Sequence, residues 1–362
     1  MSEFKPGLEG VTAFETEIAE PDKEGGALRY RGVDIQDLVG QTSYGDVWGL
    51  LVDGGFGNGL PAAEPVPVPV SSGDTRVDAQ AAVSMLAPFW GLAPLLDIDE
   101  ATARDDLARV SVTTLSFIAQ SARGSGRPAV PQSEIDKAET ITERFMRRWR
   151  GEPDPAHVKA VDTYLISAAE HGMNASTFTS RVVASTGADA AAAISSGIGA
   201  LSGPLHGGAP SRVLHMIEEV EKRGEAESYV KELLDSGERL MGFGHRVYRA
   251  EDPRSRVLRD AARRLGAPRY EIAEALERAA LTELKARKPD RVLATNVEFW
   301  SSVVLDFAEV PSELFTPMFT CARVAGWSAH ILEQKKLGRI VRPSAKYVGP
   351  GPRRPSEVEG WK

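Results

Sequence analysis

Apolar residues in this 362-residue chain recur at steps of three and four, and the apolar–polar alternation typical of strands is almost absent. Such spacing places apolar side chains along one face of a helix. Two of these series are Val158, Val161, Leu165 and Ala168, and Val257, Leu258, Ala261 and Leu265. No period of 20 to 50 residues repeats, which disfavours a solenoid of tandem units. The sequence therefore predicts an all-α globular fold.

Glycine and proline mark the expected boundaries of these helices. Residues 16–18 and 28–30 flank a turn-rich insert at 21–26, which predicts one small hairpin. Residues 54–69 are rich in glycine and proline and predict a surface loop. The predicted helix stops are Gly151, Gly224 and Gly266, with Pro153, Pro268 and Pro311 near helix ends.

The overall charge and the cysteine content exclude several classes of protein. With a net charge of -8, the chain has no overall positive charge with which to bind nucleic acid or an anionic membrane. The single cysteine, Cys321, rules out an internal disulfide and any multi-cysteine zinc site. Residues 1–10 do not resemble a secretory or transit peptide, and the apolar stretch 188–201 is shorter than the about 20 residues of a bilayer span. We expect a soluble, cytoplasmic protein.

Three of the six histidines stand in glycine-bearing junctions between helical segments. They are His171, His206 and His245. Glycine allows close backbone approach and unusual dihedral angles, so side chains at such junctions can be presented to a ligand. A single histidine in a turn is more often a capping residue, but three in similar junctions favour a functional role.

Arginines follow the third histidine at Arg246, Arg249 and Arg254. One interpretation is a solvated helix entrance, because Asp252 and Pro253 form a natural helix start. The other is a clamp for carboxylates or phosphates, since a guanidinium binds them with two parallel hydrogen bonds. The pattern alone leaves both open.

The strings around His206 and His245 resemble the signatures of citrate synthases, and their order and spacing match too. The similarity covers almost the whole chain and is weakest between about residues 52 and 150. It implies a large helical domain, residues 1–206 and 310–362, with an inserted smaller helical domain, residues 207–309. The matching strings are 201–209 (LSGPLHGGA), 242–249 (GFGHRVYR), 252–254 (DPR), 7–11 (GLEGV), 28–35 and 326–334.

The resemblance implies an acyltransferase that condenses acetyl-CoA with oxaloacetate and hydrolyses citryl-CoA to citrate and CoA. His206 matches the histidine that donates to the thioester carbonyl, and His245 matches the one that polarises the ketone. His171 matches a third histidine, which binds the keto acid. The arginines that match those holding its carboxylates are Arg254, Arg323 and Arg342. In the family the last comes from the neighbouring subunit, which implies at least a homodimer.

The expected base departs from the family pattern. The family usually has Asn-Val-Asp where this sequence has Asn296, Val297 and Glu298, so the carboxylate stands on an arm one methylene longer. Its catalytic role competes with a structural one, because Thr295 and Glu298 fit a capping box at a helix start.

The resemblance also implies a CoA site formed by a loop before His245 and by basic residues. For Lys285 a solvated helix end is an equally good interpretation. HExxH, CxxC and Walker patterns are absent, so we expect no metal and no cofactor beyond acetyl-CoA as a substrate. The expected CoA contacts are Met241, Gly242, Phe243, Gly244, Arg249 and Lys285.

Several other functions compete with this one. Propionyl-CoA in place of acetyl-CoA would give 2-methylcitrate, and one extra methylene is worth only about 1 to 3 kcal/mol of discrimination. A CoA-dependent lyase would run carbon–carbon cleavage, and a non-catalytic sensor would bind CoA or dicarboxylate without turnover. A hydrolase triad is disfavoured because no G-x-S-x-G elbow occurs.

Overall fold

The structure, a computed structural model, describes residues 4–22, 26–57, 59–207, 210–244, 251–291 and 293–361. Helices dominate this part of the chain, which confirms the all-α prediction. In chain order, α1 to α15 are Ile35–Leu38, Tyr44–Asp53, Thr75–Trp90, Glu100–Arg123, Gln132–Ile135, Ile141–Arg150, Pro155–Ala168, Ala175–Ser185, Ala190–Leu201, Pro210–Arg223, Ala226–Asp235, Pro253–Leu265, Tyr270–Arg287, Val297–Phe307 and Phe315–Leu337; short 3-10 turns are Pro6–Leu8, Ser312–Leu314 and Pro355–Glu357.

The strands of the described residues form one small antiparallel sheet in the order β1 (Ala19–Asp22), β2 (Ala27–Tyr30), β3 (Val33–Asp34). The predicted hairpin is confirmed, but its first strand begins at Ala19 rather than at residue 16. Pro21 is tolerated in β1 because this is an edge strand. Leu28 and Tyr30 of β2 point into the core and are fully buried.

Helix α15 runs through the centre of one group of helices and is buried along most of its length. It packs against α2, α4, α7, α8 and α9. The backbone of Gly326 approaches the end of α7 closely enough for its N–H to donate to the carbonyl of Ala169 at 3.2 Å. The end of α7 is therefore fixed against the middle of α15.

A second group of helices lies between residues 210 and 307. Helix α10 packs on α13 and α14, α11 packs on α13, and α12 packs on α14. Helices α12 and α14 also pack on α7, which joins this group to the first. The described residues thus place a junction between α7 and α15 on one side and α12 and α14 on the other.

The caps at this junction agree only partly with the predictions. Asp252 caps α12 with Pro253 in its first turn, as predicted. The capping box from Thr295 to Glu298 is wrong, because the N-cap of α14 is Asn296, whose side chain accepts from the N–H of Glu298. Thr295 instead pairs through its backbone with Phe243.

The remaining boundaries follow the sequence closely. Gly151 and Gly266 cap α6 and α12, and Gly224 follows the last residue of α10. The described residues between 54 and 69 form neither helix nor strand, as expected of a loop. No described helix combines the length and apolarity needed to cross a membrane.

Candidate active site

A cleft of about 420 Å³ opens where α7 and α15 face α12 and α14. It brings together side chains that lie up to 159 positions apart in the sequence, from Tyr164 to Arg323. The predicted site residues that line it are His171, His206, Gly244, Arg254, Glu298 and Arg323. We call this space the cleft.

Glu298 enters the cleft from the first turn of α14. Asn296 caps this helix and accepts the N–H of Glu298 at 3.0 Å, which fixes the backbone that carries the carboxylate. Burial raises the pKa of Glu298 to about 7; the charge of Arg254 opposes the shift and the charge of Asp252 adds to it. A carboxylate with this pKa is suited to accept a proton near neutral pH.

His206 lies in the turn that follows α9. Its Nε2 is 2.9 Å from the hydroxyl of Ser176, which also accepts from the indole N–H of Trp327 at 3.3 Å. Burial, with the positive charge of Arg323, lowers the pKa of His206 to about 4. The ring is therefore neutral at pH 7 and can donate a hydrogen bond without carrying charge.

Arg254 and Asp252 form a buried ion pair at the start of α12. The Nε and Nη2 atoms of Arg254 donate to the two carboxylate oxygens at 3.0 and 2.8 Å. Asp252 also accepts from the N–H of Arg254 at 3.0 Å and from the N–H of Val297 at 3.0 Å. One carboxylate therefore connects the arginine to the first turn of the helix that carries Glu298.

Arg323 reaches the cleft from α15 and is held differently. Its Nε donates to the carbonyl of Ala168 at 2.8 Å, and its guanidinium lies over the ring of Phe319 at 4.8 Å. Its buried Nη1 has no hydrogen-bond partner among the described residues. Burial, together with the charge of Arg254, lowers the pKa of Arg323. An anion in the cleft would relieve both effects.

His171 directly follows the turn at the end of α7 and is buried at the edge of the cleft. The carbonyls of this turn are tied down by residues from elsewhere, including the hydroxyl of Tyr30 and Nε of Arg323. The ring is therefore carried by a rigid backbone rather than by a mobile loop.

The predicted CoA loop runs beside the start of α14. The N–H of Gly244 donates to the carbonyl of Ala294 at 2.7 Å, and the N–H of Asn296 donates to the carbonyl of Gly242 at 2.9 Å. Gly242 has a φ of +85°, and a Cβ there would lie 3.0 Å from the Cβ of Phe299, so glycine is required. Met241 and Phe243 are partly buried beside these glycines.

Other predicted residues do not join the cleft. Lys285 is exposed in the last turn of α13, and Arg342 is exposed on the extended segment that follows α15. Neither lines the cleft of this chain. His245 and Arg249, like Arg246, lie outside the described residues, so their predicted roles stay predictions.

Sequence reasoning missed the contacts that organise these side chains. It identified Asp252 as a helix cap but not as the partner of Arg254, and it did not select Ser176 beside His206. The Asx-x-Arg spacing at a helix start could have suggested the pairing of Asp252 with Arg254. Ser176 carries no signal of its own, because it lies 30 residues from His206 in the sequence.

The cleft thus combines two buried guanidinium groups, a neutral imidazole and a carboxylate with a raised pKa. The guanidinium groups suit a ligand with more than one carboxylate. The carboxylate and the imidazole suit removal of a proton next to a carbonyl whose oxygen gains charge. No group of three His, Cys, Asp or Glu side chains within the described ranges could hold a metal ion.

Comparisons with known proteins agree with this chemistry. The family described as citrate synthase, C-terminal domain, matches residues 7–66 and 69–344. A Mycobacterium tuberculosis protein named "Putative citrate synthase 2" is 70% identical over 360 residues, which cover 99% of this chain and 96% of that protein. The 2-methylcitrate synthase of Shewanella oneidensis is 32% identical and covers 96% of each chain.

A solved structure of similar fold is the citrate synthase of the archaeon Thermoplasma acidophilum, determined as a ternary complex with carboxymethyl coenzyme A and oxaloacetate. Its TM-score is 0.80 at 25% identity, and the match covers 98% of both chains. Members of this family are acyltransferases. The match of the family over most of the chain, the relatives of similar length and the shared fold lead to one conclusion: the chain belongs to the citrate synthase family.

Proposed function

We propose that this enzyme condenses acetyl-CoA with oxaloacetate and hydrolyses the resulting citryl-CoA to citrate and CoA. The observation that carries the proposal is the convergence of Glu298, His206, Arg254 and Arg323 on one cleft. The Thermoplasma enzyme of similar fold holds oxaloacetate together with a CoA derivative, which supports the same ligand classes here.

Oxaloacetate carries two carboxylates, and the cleft offers a buried guanidinium from each side. In the proposed complex, Arg254 and Arg323 hold these carboxylates and His171 binds the keto acid beside them. Arg342 of a second copy of this chain completes the site, which is consistent with its exposed position on the segment after α15. Fixing both ends of the ligand orients its ketone for attack.

Glu298 removes a proton from the methyl group of the thioester. With a pKa of about 7, it is largely ionised at slightly alkaline pH and still basic enough to accept the proton. His206 donates to the thioester oxygen as the enolate forms. The Ser176 hydroxyl has one proton, which it donates to Oδ1 of Asn174 at 2.9 Å in the structure. In the proposed complex this proton turns to Nε2 of His206, 2.9 Å away, so that the proton of the neutral ring lies on Nδ1, the atom that remains for the substrate.

The developing nucleophile then attacks the ketone of oxaloacetate, and His245 polarises the ketone oxygen. Gly244, the residue before it, lines the cleft. The CoA moiety contacts the loop from Met241 to Gly244 and Arg249, with Lys285 as a more distant cation. Water attacks the citryl thioester in the last step and releases CoA.

We further propose that residues 207–309 form a small domain that closes on the large domain, residues 1–206 and 310–362. His206 then lies at one hinge. Closure would keep water from acetyl-CoA until citryl-CoA has formed. The packing of α10 to α14 on one another, with α12 and α14 against α7, supports this division.

The test is release of CoA thiol by the purified enzyme from acetyl-CoA or propionyl-CoA, each with oxaloacetate, with the product identified by mass. We expect the larger kcat/KM with acetyl-CoA and citrate as the product. A larger value with propionyl-CoA would assign 2-methylcitrate synthesis instead. Absence of CoA release with either thioester would contradict catalysis and favour a sensor.

A further inference from the structure

A chain of buried polar side chains lies behind the cleft without lining it. Its members are Glu170, His330 and Arg181, and each is fully buried. They join α7, α15 and α8, three helices whose positions decide where His171 and Arg323 point. Isolated charges at such depth would be strongly destabilising, so their partners matter.

The hydrogen bonds fix the protonation of the central histidine. A guanidinium only donates, so Nδ1 of His330 accepts from Nη1 of Arg181 at 2.9 Å. The proton of the ring is then on Nε2, which donates to Oε1 of Glu170 at 3.2 Å. A doubly protonated ring would turn an N–H toward the guanidinium. His330 thus acts as a neutral bridge between an anion and a cation.

The outer end of this chain is anchored to the N-terminal segment. Arg181 donates through Nε to Gln334 at 3.1 Å and through Nη1 to Glu333. The other oxygen of Glu333 accepts from the N–H of Glu17 at 3.1 Å and from the hydroxyl of Thr16 at 3.2 Å. Arg181 therefore has little freedom to move.

The inner end is packed just as closely. A Cβ at position 326 would lie 2.0 Å from Oε2 of Glu170, so only glycine leaves room for this carboxylate. Glu170 immediately precedes His171, and its N–H donates to the hydroxyl of Tyr30 at 3.2 Å. Glu170 therefore carries the buried charge and, through its N–H, also helps to fix the turn before His171.

The charge of Glu170 also acts on Arg323, one of the two arginines that line the cleft. Burial lowers the pKa of Arg323, and the negative charge of Glu170 is the largest effect opposing that change. Burial alone would raise the pKa of Glu170, but the hydrogen bond from His330 and the charge of Arg323 hold that pKa down. Glu170 is thus a counter-charge to Arg323, while Nη1 of Arg323 has no hydrogen-bond partner among the described residues.

We propose that Glu170, His330 and Arg181 are positioning residues for the dicarboxylate ligand. They place a negative charge near Arg323 that forms no ion pair with it, and they fix the turn that presents His171. The inference rests on the proposed function, which assigns Arg323 and His171 to oxaloacetate. Its signature is selective: oxaloacetate binding weakens when the chain is broken, while acyl-CoA binding does not.

The experiment compares two variants of His330. His330→Gln keeps one donor for Glu170 and one acceptor for Arg181, whereas His330→Phe keeps the volume and loses both. We expect the oxaloacetate KM to rise about tenfold or more in the Phe variant, because a buried network loses a member, and to stay within about threefold in the Gln variant. The KM for acetyl-CoA should stay unchanged in both.

A third variant covers the case in which His330→Phe does not fold. Glu170→Gln keeps the size and an acceptor for His330 but removes the counter-charge, and it should raise the oxaloacetate KM with little change in the acetyl-CoA KM. An unchanged oxaloacetate KM would overturn the inference, as would equal rises for both substrates accompanied by a lower Tm.

Direct binding separates this inference from the proposed function. Calorimetric titration of oxaloacetate into wild type, His330→Gln and Glu170→Gln needs no turnover. Weaker binding only in Glu170→Gln would support the positioning role even if the wild type released no CoA. Equal binding by all three would overturn the inference even if the wild type were a competent citrate synthase.

Discussion

The two walls of the cleft hold their arginines in different ways. On the wall formed by α12 and α14, Arg254 is already paired with Asp252 through hydrogen bonds of 2.8 and 3.0 Å. On the wall formed by α7 and α15, Arg323 donates to a main-chain carbonyl, and no carboxylate of the described residues forms an ion pair with it. Its counter-charge, Glu170, acts from behind.

This difference separates two roles of a guanidinium group in one site, stabilising the fold and binding a ligand. A paired arginine is stable without a ligand and holds the surrounding helices together. An arginine without an ionic partner costs free energy until an anion arrives, so more of its interaction is available for binding. We therefore expect Arg254 to contribute more to stability and Arg323 more to ligand affinity.

The largest expected effect is on the base beside Arg254. Glu298→Gln should lower kcat by about a hundredfold or more, because a positioned general base is worth about 10² to 10⁴ in rate. The matched control is Glu298→Asp, which keeps the carboxylate on the shorter arm usual in the family and should retain more activity than the Gln variant. Full activity in Glu298→Gln, measured by CoA release, would remove Glu298 from the mechanism.

Replacing each arginine by Met tests the comparison between the walls directly. Arg254→Met leaves Asp252 buried without this partner and should lower the free energy of unfolding by about 3 to 5 kcal/mol. In Arg323→Met, no carboxylate of the described residues loses an ion pair, so the free energy of unfolding should fall less. Denaturant unfolding measures both. Equal losses would contradict the distinction between a paired and an unpaired arginine.

A smaller effect is expected on the pH dependence of the free energy of unfolding, through the ionisation of Glu298. Its pKa rises from 4.5 to about 7 on folding, so ionisation opposes folding. This penalty is absent below about pH 4.5, grows as the pH rises to about 7, and then stays constant at about 3 kcal/mol or less. Glu298→Gln should therefore gain stability relative to wild type at pH 8 but not at pH 4, as measured by unfolding at each pH. An equal difference at both values would mean that the carboxyl does not titrate with a raised pKa.

The smallest expected effect is a displacement of the pH–rate profile. Wild-type kcat should fall as the pH drops below about 7, because the base becomes protonated. Asp252→Asn keeps a helix cap but removes a negative charge that raises the pKa of Glu298, so the acid limb should move to lower pH. An unchanged limb in this variant would show that the charge of Asp252 does not raise the pKa of Glu298.

The sequence predicts the local features of this molecule well. Apolar spacing and glycine stops predict the helices because they depend on residues a few positions apart. The cap at Asp252 is predicted for the same reason. The alternative in which Thr295 caps α14 is excluded because Asn296 is the cap, and the backbone pairing of Thr295 with Phe243 depends on a segment 52 positions earlier.

The electrostatics of the site are less accessible from sequence. The motif selects Glu298 as an acid, but its raised pKa arises from burial between helices that pack only in the folded chain. Glu170 and His330 lie 160 positions apart, and nothing in their spacing indicates that they meet. Resemblance identifies which residues belong to the site, whereas the fold decides what charge each of them carries.

The contacts of Asp252 also limit how the sequence of this protein can vary during evolution. With two oxygens Asp252 begins α12, pairs with Arg254 and accepts the N–H of Val297. Alanine would lose all three contacts at once, and asparagine would lose the charge. Few substitutions should therefore be tolerated at position 252, while exposed positions of α13 should tolerate many more.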